Sequence, residues 1–149
     1  MANEPLWVVE ARVSTDFNQF MLFDVESELR YDELQLPAGA WLGVSGPGGA
    51  LFHTHEGNFK ADVRLEFWPR PSPDLAAQTQ NAFFGEFTAP TGGVMLGSVT
   101  GSPSDRFVQL PGPGTYQVRA ERVADRLVQD SVDQIDSAEG WLLQVAPAG

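Results

Sequence analysis

The chain has 149 residues, of which 20 are Asp or Glu and nine are Lys or Arg, so its formal net charge is −11. A surplus of this size repels phosphate backbones and anionic membranes, so we expect no direct nucleic acid binding. The absence of cysteine excludes disulfides, thiolate metal ligands and cysteine nucleophiles. The length fits one domain over residues 1–149, built around one hydrophobic core.

The N-terminal stretch, "MANEPLWVVEARV", contains neither the basic n-region nor the apolar h-region of a secretory signal. No apolar run in the sequence reaches the roughly 20 residues that a membrane-spanning helix needs. We therefore expect a cytoplasmic protein without a membrane partner.

Predicted strands follow one another along the chain, separated by turn-forming sequences such as "GPGG" (46–49), "GSPSD" (101–105) and "PGPG" (111–114). In chain order the strand candidates are "WVVEARV", "FMLFDV", "AWLGV", "FKADVRLEFW", "VMLGSV", "RFVQL", "TYQVRAERVA" and "WLLQV". Short strands of this composition, with turns about every ten residues, are typical of antiparallel sandwiches. The sequence predicts an all-β fold, a single-domain antiparallel β-sandwich of about eight short strands.

The clearest strand is "FKADVRLEFW", in which apolar and polar residues alternate. Because successive side chains on a strand point to opposite faces, one face of this strand is expected to meet the core. The core-facing residues predicted from this alternation are Phe59, Ala61, Val63, Leu65 and Phe67, and in "TYQVRAERVA" they are Tyr116, Val118 and Ala120.

Both histidines of the chain lie in "LFHTHEGNF", two residues apart. If the "GN" pair forms a two-residue hairpin turn, then His53, His55 and Asp62 share one face of that hairpin. Two histidines and one carboxylate match a non-haem metal site, so a metal-dependent enzyme using them, with Asp62 or Glu56, is one alternative. However, the chain has no third histidine for a zinc site, and Lys60 would lie beside His55 and repel a cation. We therefore expect no metal or other cofactor, and a His53–Asp62 pair on a solvent-facing ribbon.

Two acidic segments hold most of the excess charge. Residues 24–33 ("DVESELRYDE") and 125–139 ("DRLVQDSVDQIDSAE") each contain five carboxylates and one Arg, so each has a net charge of −4. In the second segment, Asp and β-branched residues at roughly helical spacing predict either a helical turn or an irregular loop. Both segments are compatible with solvated loops that maintain solubility, and both are compatible with a docking surface for a basic protein.

The docking hypothesis names a basic partner protein and a set of contact residues. Tyr31 lies between two acidic pairs and is the candidate aromatic anchor, since aromatic side chains supply much of the binding energy of interfaces. The candidate acidic contacts are Glu26, Glu28, Asp32, Glu33, Asp130, Asp133, Asp136 and Glu139.

A further alternative is a protein that binds a small ligand or a carbohydrate on an aromatic face. Its candidate stacking residues are Trp41, Trp68 and Trp141. Serine hydrolase chemistry has no motif here, because Ser45 in "GVSGPGG" belongs to an expected hairpin loop and not to a nucleophile elbow.

Three stretches resemble the competence protein J family, the DNA-entry nuclease inhibitors of bacteria. They are "STDFNQFMLFD" (14–24), "KADVRLEFW" (60–68) and "DRFVQLPGPGTYQVRAE" (105–121). The resemblance implies a small β-sandwich that binds and blocks a nuclease. The "LFHTHEGNF" and "PRPSPDLAAQTQ" stretches have no counterpart in that family, and the resemblance assigns no inhibitory residue to this chain.

Overall fold

The computed structural model describes residues 4–15, 18–27, 41–54, 60–71, 82–131 and 134–148, with the backbone alone over 124–131 and 134–137. Within these ranges there is no helix that is long and apolar enough to cross a membrane. The same ranges contain ten strands: β1 (Trp7–Ser14), β2 (Gln19–Asp24), β3 (Gly43–Gly46), β4 (Gly49–His53), β5 (Lys60–Phe67), β6 (Ala82–Ala89), β7 (Gly93–Ser98), β8 (Arg106–Gln109), β9 (Gly114–Ser131) and β10 (Gln134–Pro147).

The strands form two sheets of five. Sheet one has the order β1-β5-β10-β9-β6, and sheet two has the order β3-β4-β2-β7-β8. Neighbouring strands are antiparallel, except β5 and β10, which are parallel. The predicted all-β, mostly antiparallel architecture is confirmed, with ten strands in the described ranges where about eight were expected.

The core lies between the two sheets, and alternation along the strands decides which residues enter it. Four of the five residues predicted for one face of β5 are buried, namely Ala61, Val63, Leu65 and Phe67. The three predicted for β9, Tyr116, Val118 and Ala120, are buried as well. Sheet two contributes the rings of Phe20 and Phe52, whose centroids lie 5.2 Å and 5.9 Å from that of Trp141. Phe59, the fifth predicted residue of β5, lies outside the described residues.

The second acidic segment forms strands, so the prediction of a helical turn or an irregular loop is wrong. Residues 126–131 of β9 pair with 134–138 of β10, for example Asp136 with Val128, and a register shift follows between Ala138 and Gly140. Pairing with a neighbouring strand satisfies the backbone groups along this hairpin, and that gain outweighs the low β propensity of Asp.

The predicted hairpin between β4 and β5 is also wrong. β4 pairs with β2 and β3 in sheet two, whereas β5 pairs with β1 and β10 in sheet one. Because both edges of β5 are already hydrogen-bonded in sheet one, His53 and Asp62 belong to different sheets. They do not form the expected cross-strand pair.

The sandwich has two ends, which we name after one residue each. At the Asp24 end, β2 ends, β7 begins at Gly93, and Gly48 N donates to Thr88 O at 3.0 Å across the two sheets. At the His53 end, β4 ends and Arg122 of β9 donates to His53 O at 2.6 Å. The hairpin formed by the tips of β9 and β10 extends from the His53 end.

Candidate functional site

Sheet two is apolar on both faces. Phe20, Leu22 and Phe52 face the core, so the residues that alternate with them, such as Met21, Phe23 and Leu51, lie on the outer face. Met21 and Leu51 are themselves buried there, because partly buried side chains pack against them; these are Phe23, Trp41, Val44 and Val99. An outer sheet face of this kind differs from the usual antiparallel arrangement, in which the outer face is polar.

Part of the outer face of sheet two is accessible, and we call it the apolar strip: Phe23, Val25, Met95 and Phe107. Phe23 pairs with Met95 across β2 and β7, and Met95 pairs with Phe107 across β7 and β8. Phe23 and Met95 are half-buried, whereas Val25 is 44% and Phe107 is 51% exposed.

Val25 and Phe107 both lie next to Gly93. Val25 N donates to Gly93 O at 2.9 Å, which continues the ladder beyond the end of β2. The ring of Phe107 lies over Gly93, 3.1 Å from the position that a Cβ atom would occupy there. The strip is therefore one continuous surface at the Asp24 end of sheet two.

Asp24 fixes the backbone beside the strip. Its buried carboxylate accepts hydrogen bonds from the amides of Glu26 (2.9 Å), Thr91 (2.9 Å) and Gly92 (3.0 Å), and from the Thr91 hydroxyl. Burial by itself raises the pKa of Asp24, but the hydrogen bonds from Glu26, Thr91 and Gly92 outweigh it and hold the pKa below its ordinary value. Asp24 is thus a structural anion, and not a contact residue for a partner.

The predicted acidic contacts have different positions. Glu26 is exposed directly after Val25. The other three predicted contacts of the first segment, Glu28, Asp32 and Glu33, lie outside the described residues together with Tyr31 and Asp133. Asp130 and Asp136 lie on the hairpin of β9 and β10, where the backbone alone is described.

Glu139 is buried, so its expected place on an exposed contact surface is wrong. Only 1% of its surface is accessible, and its carboxylate accepts hydrogen bonds from Trp141 Nε1 at 2.8 Å and Arg122 Nε at 3.1 Å. The Arg122 guanidinium also lies 5.5 Å from the Trp141 ring centroid. Because Arg122 reaches His53 O in sheet two, this cluster joins the two sheets at the His53 end.

His53 and Asp62, two residues of the alternative metal site, belong to different sheets and have other partners. The His53 ring stacks on Trp41 with centroids 4.7 Å apart, and Asp62 forms a bidentate pair with Arg12 at 2.7 Å and 2.9 Å. His55 and Glu56 lie outside the described residues. Within the ranges that the structure covers, no three His, Asp or Glu side chains are grouped closely enough to hold a metal ion.

The outer face of sheet one forms a shallow groove of about 640 Å³, whose lining includes charged side chains of β1 and β5. These charges are paired with one another: Arg12 with Asp62, and Arg64 with both Glu10 (3.0 Å) and Glu66 (2.8 Å). Burial raises the pKa of Glu66, but hydrogen bonds from Arg64, Gln144 and Trp68 outweigh it and hold the pKa below its ordinary value. This face is therefore electrostatically satisfied within the chain.

The tryptophan positions give little support to a carbohydrate site. Trp141 is 1% exposed and lies in the core, so it cannot stack on a sugar. Trp41 and Trp68 are half-buried, and Trp68 Nε1 donates to Glu66 at 3.1 Å. The two belong to different sheets and do not form one aromatic platform, since Trp41 packs on sheet two and Trp68 follows β5 of sheet one.

The interpretation of the sequence did not predict the apolar strip, although the sequence contains a signal for it. The runs "FMLF" (20–23) and "VMLG" (94–97) are apolar at successive positions, so each strand must place apolar side chains on both faces. Runs of this kind indicate a strand that is covered, or that can be covered, on its second face.

The residues that the structure describes form an all-β protein of two packed five-stranded sheets. The structure of ComJ from Bacillus subtilis, inhibitor of the DNA degrading activity of NucA, aligns with a TM-score of 0.61 at 17% identity, covering 99% of this chain and 100% of that chain. A structure described as crocagin biosynthetic gene J aligns with a TM-score of 0.56 at 14% identity, covering 99% of both chains. No protein-family model and no curated protein sequence matches the chain.

The two alignments cover the chain from end to end, so the whole sandwich, and not one sheet of it, is shared. The predicted resemblance to the competence protein J family is thereby confirmed at the level of the fold. At such low identity, the contact residues and the partner have to be argued from this chain's own surface.

Proposed function

We propose that this chain is a non-enzymatic inhibitor that binds a nuclease and blocks its access to DNA. The observation that carries the proposal is the fold that it shares with ComJ across the whole length of both chains. ComJ inhibits the DNA degrading activity of NucA, and an inhibitor of this type acts through a protein surface. The proposal agrees with the accessible apolar strip of sheet two and with the negative net charge of the chain.

The net charge of −11 supports a basic partner. A nuclease needs a positively charged cleft to hold the DNA backbone, and an acidic protein is attracted to the same cleft. Under this proposal the exposed carboxylates guide the encounter. The proposed acidic contacts are Glu26, Glu28, Asp32, Glu33, Asp130, Asp133 and Asp136, with Tyr31 as a candidate anchor. The proposed setting is the cytoplasm.

The test is a DNA degradation assay with the purified protein. The nucleases are NucA of Bacillus subtilis and each nuclease encoded in the genome that encodes this chain. We expect one of them to lose its activity as the protein approaches an equimolar amount. ComJ with NucA serves as the positive control. A gel mobility-shift assay of DNA with the protein alone checks that the protein does not protect the DNA by binding it directly.

The result that contradicts the proposal is equally specific. If every nuclease in the set degrades DNA at its full rate in the presence of about 10 μM protein, a concentration well above the Kd of most specific protein complexes, the chain does not inhibit these nucleases.

A further inference from the structure

We propose that the apolar strip of sheet two is the surface on which the basic nuclease docks, with Glu26 at its rim. This inference rests on the proposed function, and it names the face of the sandwich that carries that function out.

The strip has the composition of an interface centre. Among the described residues, the large apolar side chains that are exposed are Leu6, Val8, Val25, Phe107 and Val123. Of these, Val25 and Phe107 both lie next to Gly93. The half-buried side chains of Phe23 and Met95 are on the same outer face of sheet two. Aromatic and methionine side chains are enriched at the centre of protein interfaces, where they bury large apolar areas.

The strip is also held in place before a partner arrives. The Asp24 carboxylate binds the amides of Glu26, Thr91 and Gly92, which fixes the backbone on both sides of Val25. Gly92 adopts a φ of +87°, which a side chain would oppose, and a Cβ atom there would lie 2.7 Å from the backbone of Gly112. A surface with a fixed backbone loses less conformational entropy on binding than a mobile one.

Charge complementarity favours a basic protein as the occupant of the strip. Glu26 is exposed immediately after Val25, and the sequence then adds Glu28, Asp32 and Glu33 within the next seven residues. A second copy of the chain would bring a second net charge of −11 against this rim, and like charges in contact oppose association. Arg106 precedes Phe107 but pairs with the core residue Leu96, so its side chain lies on the other face of β8.

The other surfaces fit a basic partner less well. On the outer face of sheet one, Asp62 is held by Arg12, while Glu10 and Glu66 are held by Arg64, so binding there would have to break existing ion pairs. The acidic hairpin of β9 and β10 extends from the His53 end, at the opposite end of the sandwich from the strip, so under this inference its carboxylates act in the encounter and not in the final contact.

Three variants test the inference against the nuclease that the wild-type protein inhibits in the assay above. Val25→Arg places a cation in the strip, and Phe107→Ala removes its most exposed ring. Val123→Arg is the matched control, because Val123 is 41% exposed, close to the 44% of Val25, but lies on sheet one. Unchanged circular dichroism and thermal midpoints show that all three variants remain folded.

We expect the inhibition constant to rise about 30-fold or more for Val25→Arg and Phe107→Ala, the effect of losing an interface anchor of about 2 kcal/mol. For Val123→Arg we expect a change of no more than about twofold, typical of a residue outside the contact. Equal inhibition by the wild-type protein and both strip variants would overturn the inference and leave the nuclease inhibitor function intact. A wild-type protein that inhibits no nuclease overturns both.

Hydrogen exchange of the wild-type complex gives a second readout that does not depend on any variant. The expected result is slower exchange, on addition of the nuclease, in β7, β8 and residues 25–27. Protection confined to β1 and β5 would place the contact on sheet one and overturn the inference.

Discussion

Asp24 shows how one carboxylate in an acidic chain can have a structural role. It is fully buried, yet its pKa is lowered, because four N–H and O–H groups from Glu26, Thr91 and Gly92 point at its oxygens. Hydrogen bonds to a charged acceptor contribute more than those to a neutral one. The charge therefore ties the end of β2 to the segment that leads into β7.

We expect Asp24→Asn to lower the free energy of unfolding at pH 7 by about 2–3 kcal/mol, since the amide offers one acceptor and a donor that opposes the surrounding N–H groups. In a domain of this size that corresponds to a fall in Tm of roughly 5–10 °C by calorimetry. Glu10→Gln is the control, because it also removes a carboxylate charge, but from a side chain that is 61% exposed. Its effect should stay below about 1 kcal/mol.

The pH dependence of the Asp24 contribution has a definite sign. A carboxyl whose pKa is lower in the folded state stabilises the fold above its ordinary pKa, and the contribution disappears as the pH falls through the folded pKa. The ordinary value for Asp24 is 3.8, so the difference in stability between wild type and Asp24→Asn should be constant near neutral pH and shrink below about pH 4. A difference that stays constant down to pH 2 would contradict this role.

At the level of single residues, the sequence placed Asp24 in an acidic segment and Glu139 among the exposed contacts. Both carboxylates are buried and hydrogen-bonded. Their partners are far away in sequence: Thr91 for Asp24, and Arg122 for Glu139. A local pattern of charges contains no information on such partners, so the roles of these two residues could not be predicted.

The strands that could be predicted from the sequence are those whose two faces differ in polarity. β5 has a buried face and a charged face, and its four described core positions follow directly from alternation. The errors concern pairing. The "GN" pair after His55 suggested a local hairpin, whereas β5 pairs in parallel with β10 from the far end of the chain. The Asp-rich tips of β9 and β10 form strands because each supplies the other with hydrogen bonds.

The apolar strip depends on how β2 is held against β4, and Gly49 is the position that tests this contact. A Cβ atom on Gly49 would lie 2.7 Å from Phe23 Cα and would also meet Leu22 O, so the strands would have to separate. Because backbone atoms cannot move away as a flexible side chain can, we expect Gly49→Ala to cost about 2–3 kcal/mol of stability.

Gly112→Ala is the matched control, since no heavy atom lies within 4 Å of its Cβ position. We expect its unfolding midpoint in urea to match that of the wild type, or to rise slightly because Ala restricts the unfolded chain. Equal midpoints for the two glycine variants would show that β2 and β4 are not in close contact at Gly49.

On the scale of the whole molecule, the described residues of the two acidic segments lie at opposite ends of the sandwich. The first begins at Asp24, and the second lies on the hairpin beyond Arg122 and Glu139. The net charge of −11 therefore produces a negative electrostatic field that arises from several parts of the surface and not from a single patch. Such a field accelerates the encounter with a basic partner, whereas apolar contacts at the docking surface determine how long the complex lasts.

If charge accelerates the encounter and apolar contacts set the lifetime of the complex, the effects of charge variants on binding of the nuclease can be predicted. Glu28→Gln/Asp32→Asn/Glu33→Gln and Asp130→Asn/Asp133→Asn/Asp136→Asn each remove three negative charges from the net −11. The first should slow association at low salt by about tenfold and the second by less, and both should weaken its dependence on ionic strength with little change in the dissociation rate. Stopped-flow measurements between about 20 and 300 mM salt, over which the Debye length falls from roughly 20 Å to roughly 6 Å, separate the two rates.

The comparison between these two triple variants also locates the contact. If the nuclease docks on the apolar strip, the first variant should slow association more than the second, because its three residues follow within seven positions of Glu26 in the sequence and Glu26 lies beside the strip. Equal slowing by the two variants would mean that net charge alone guides the encounter. Association rates that neither variant changes would rule out electrostatic steering, and the complex would then depend on apolar contact from its first step.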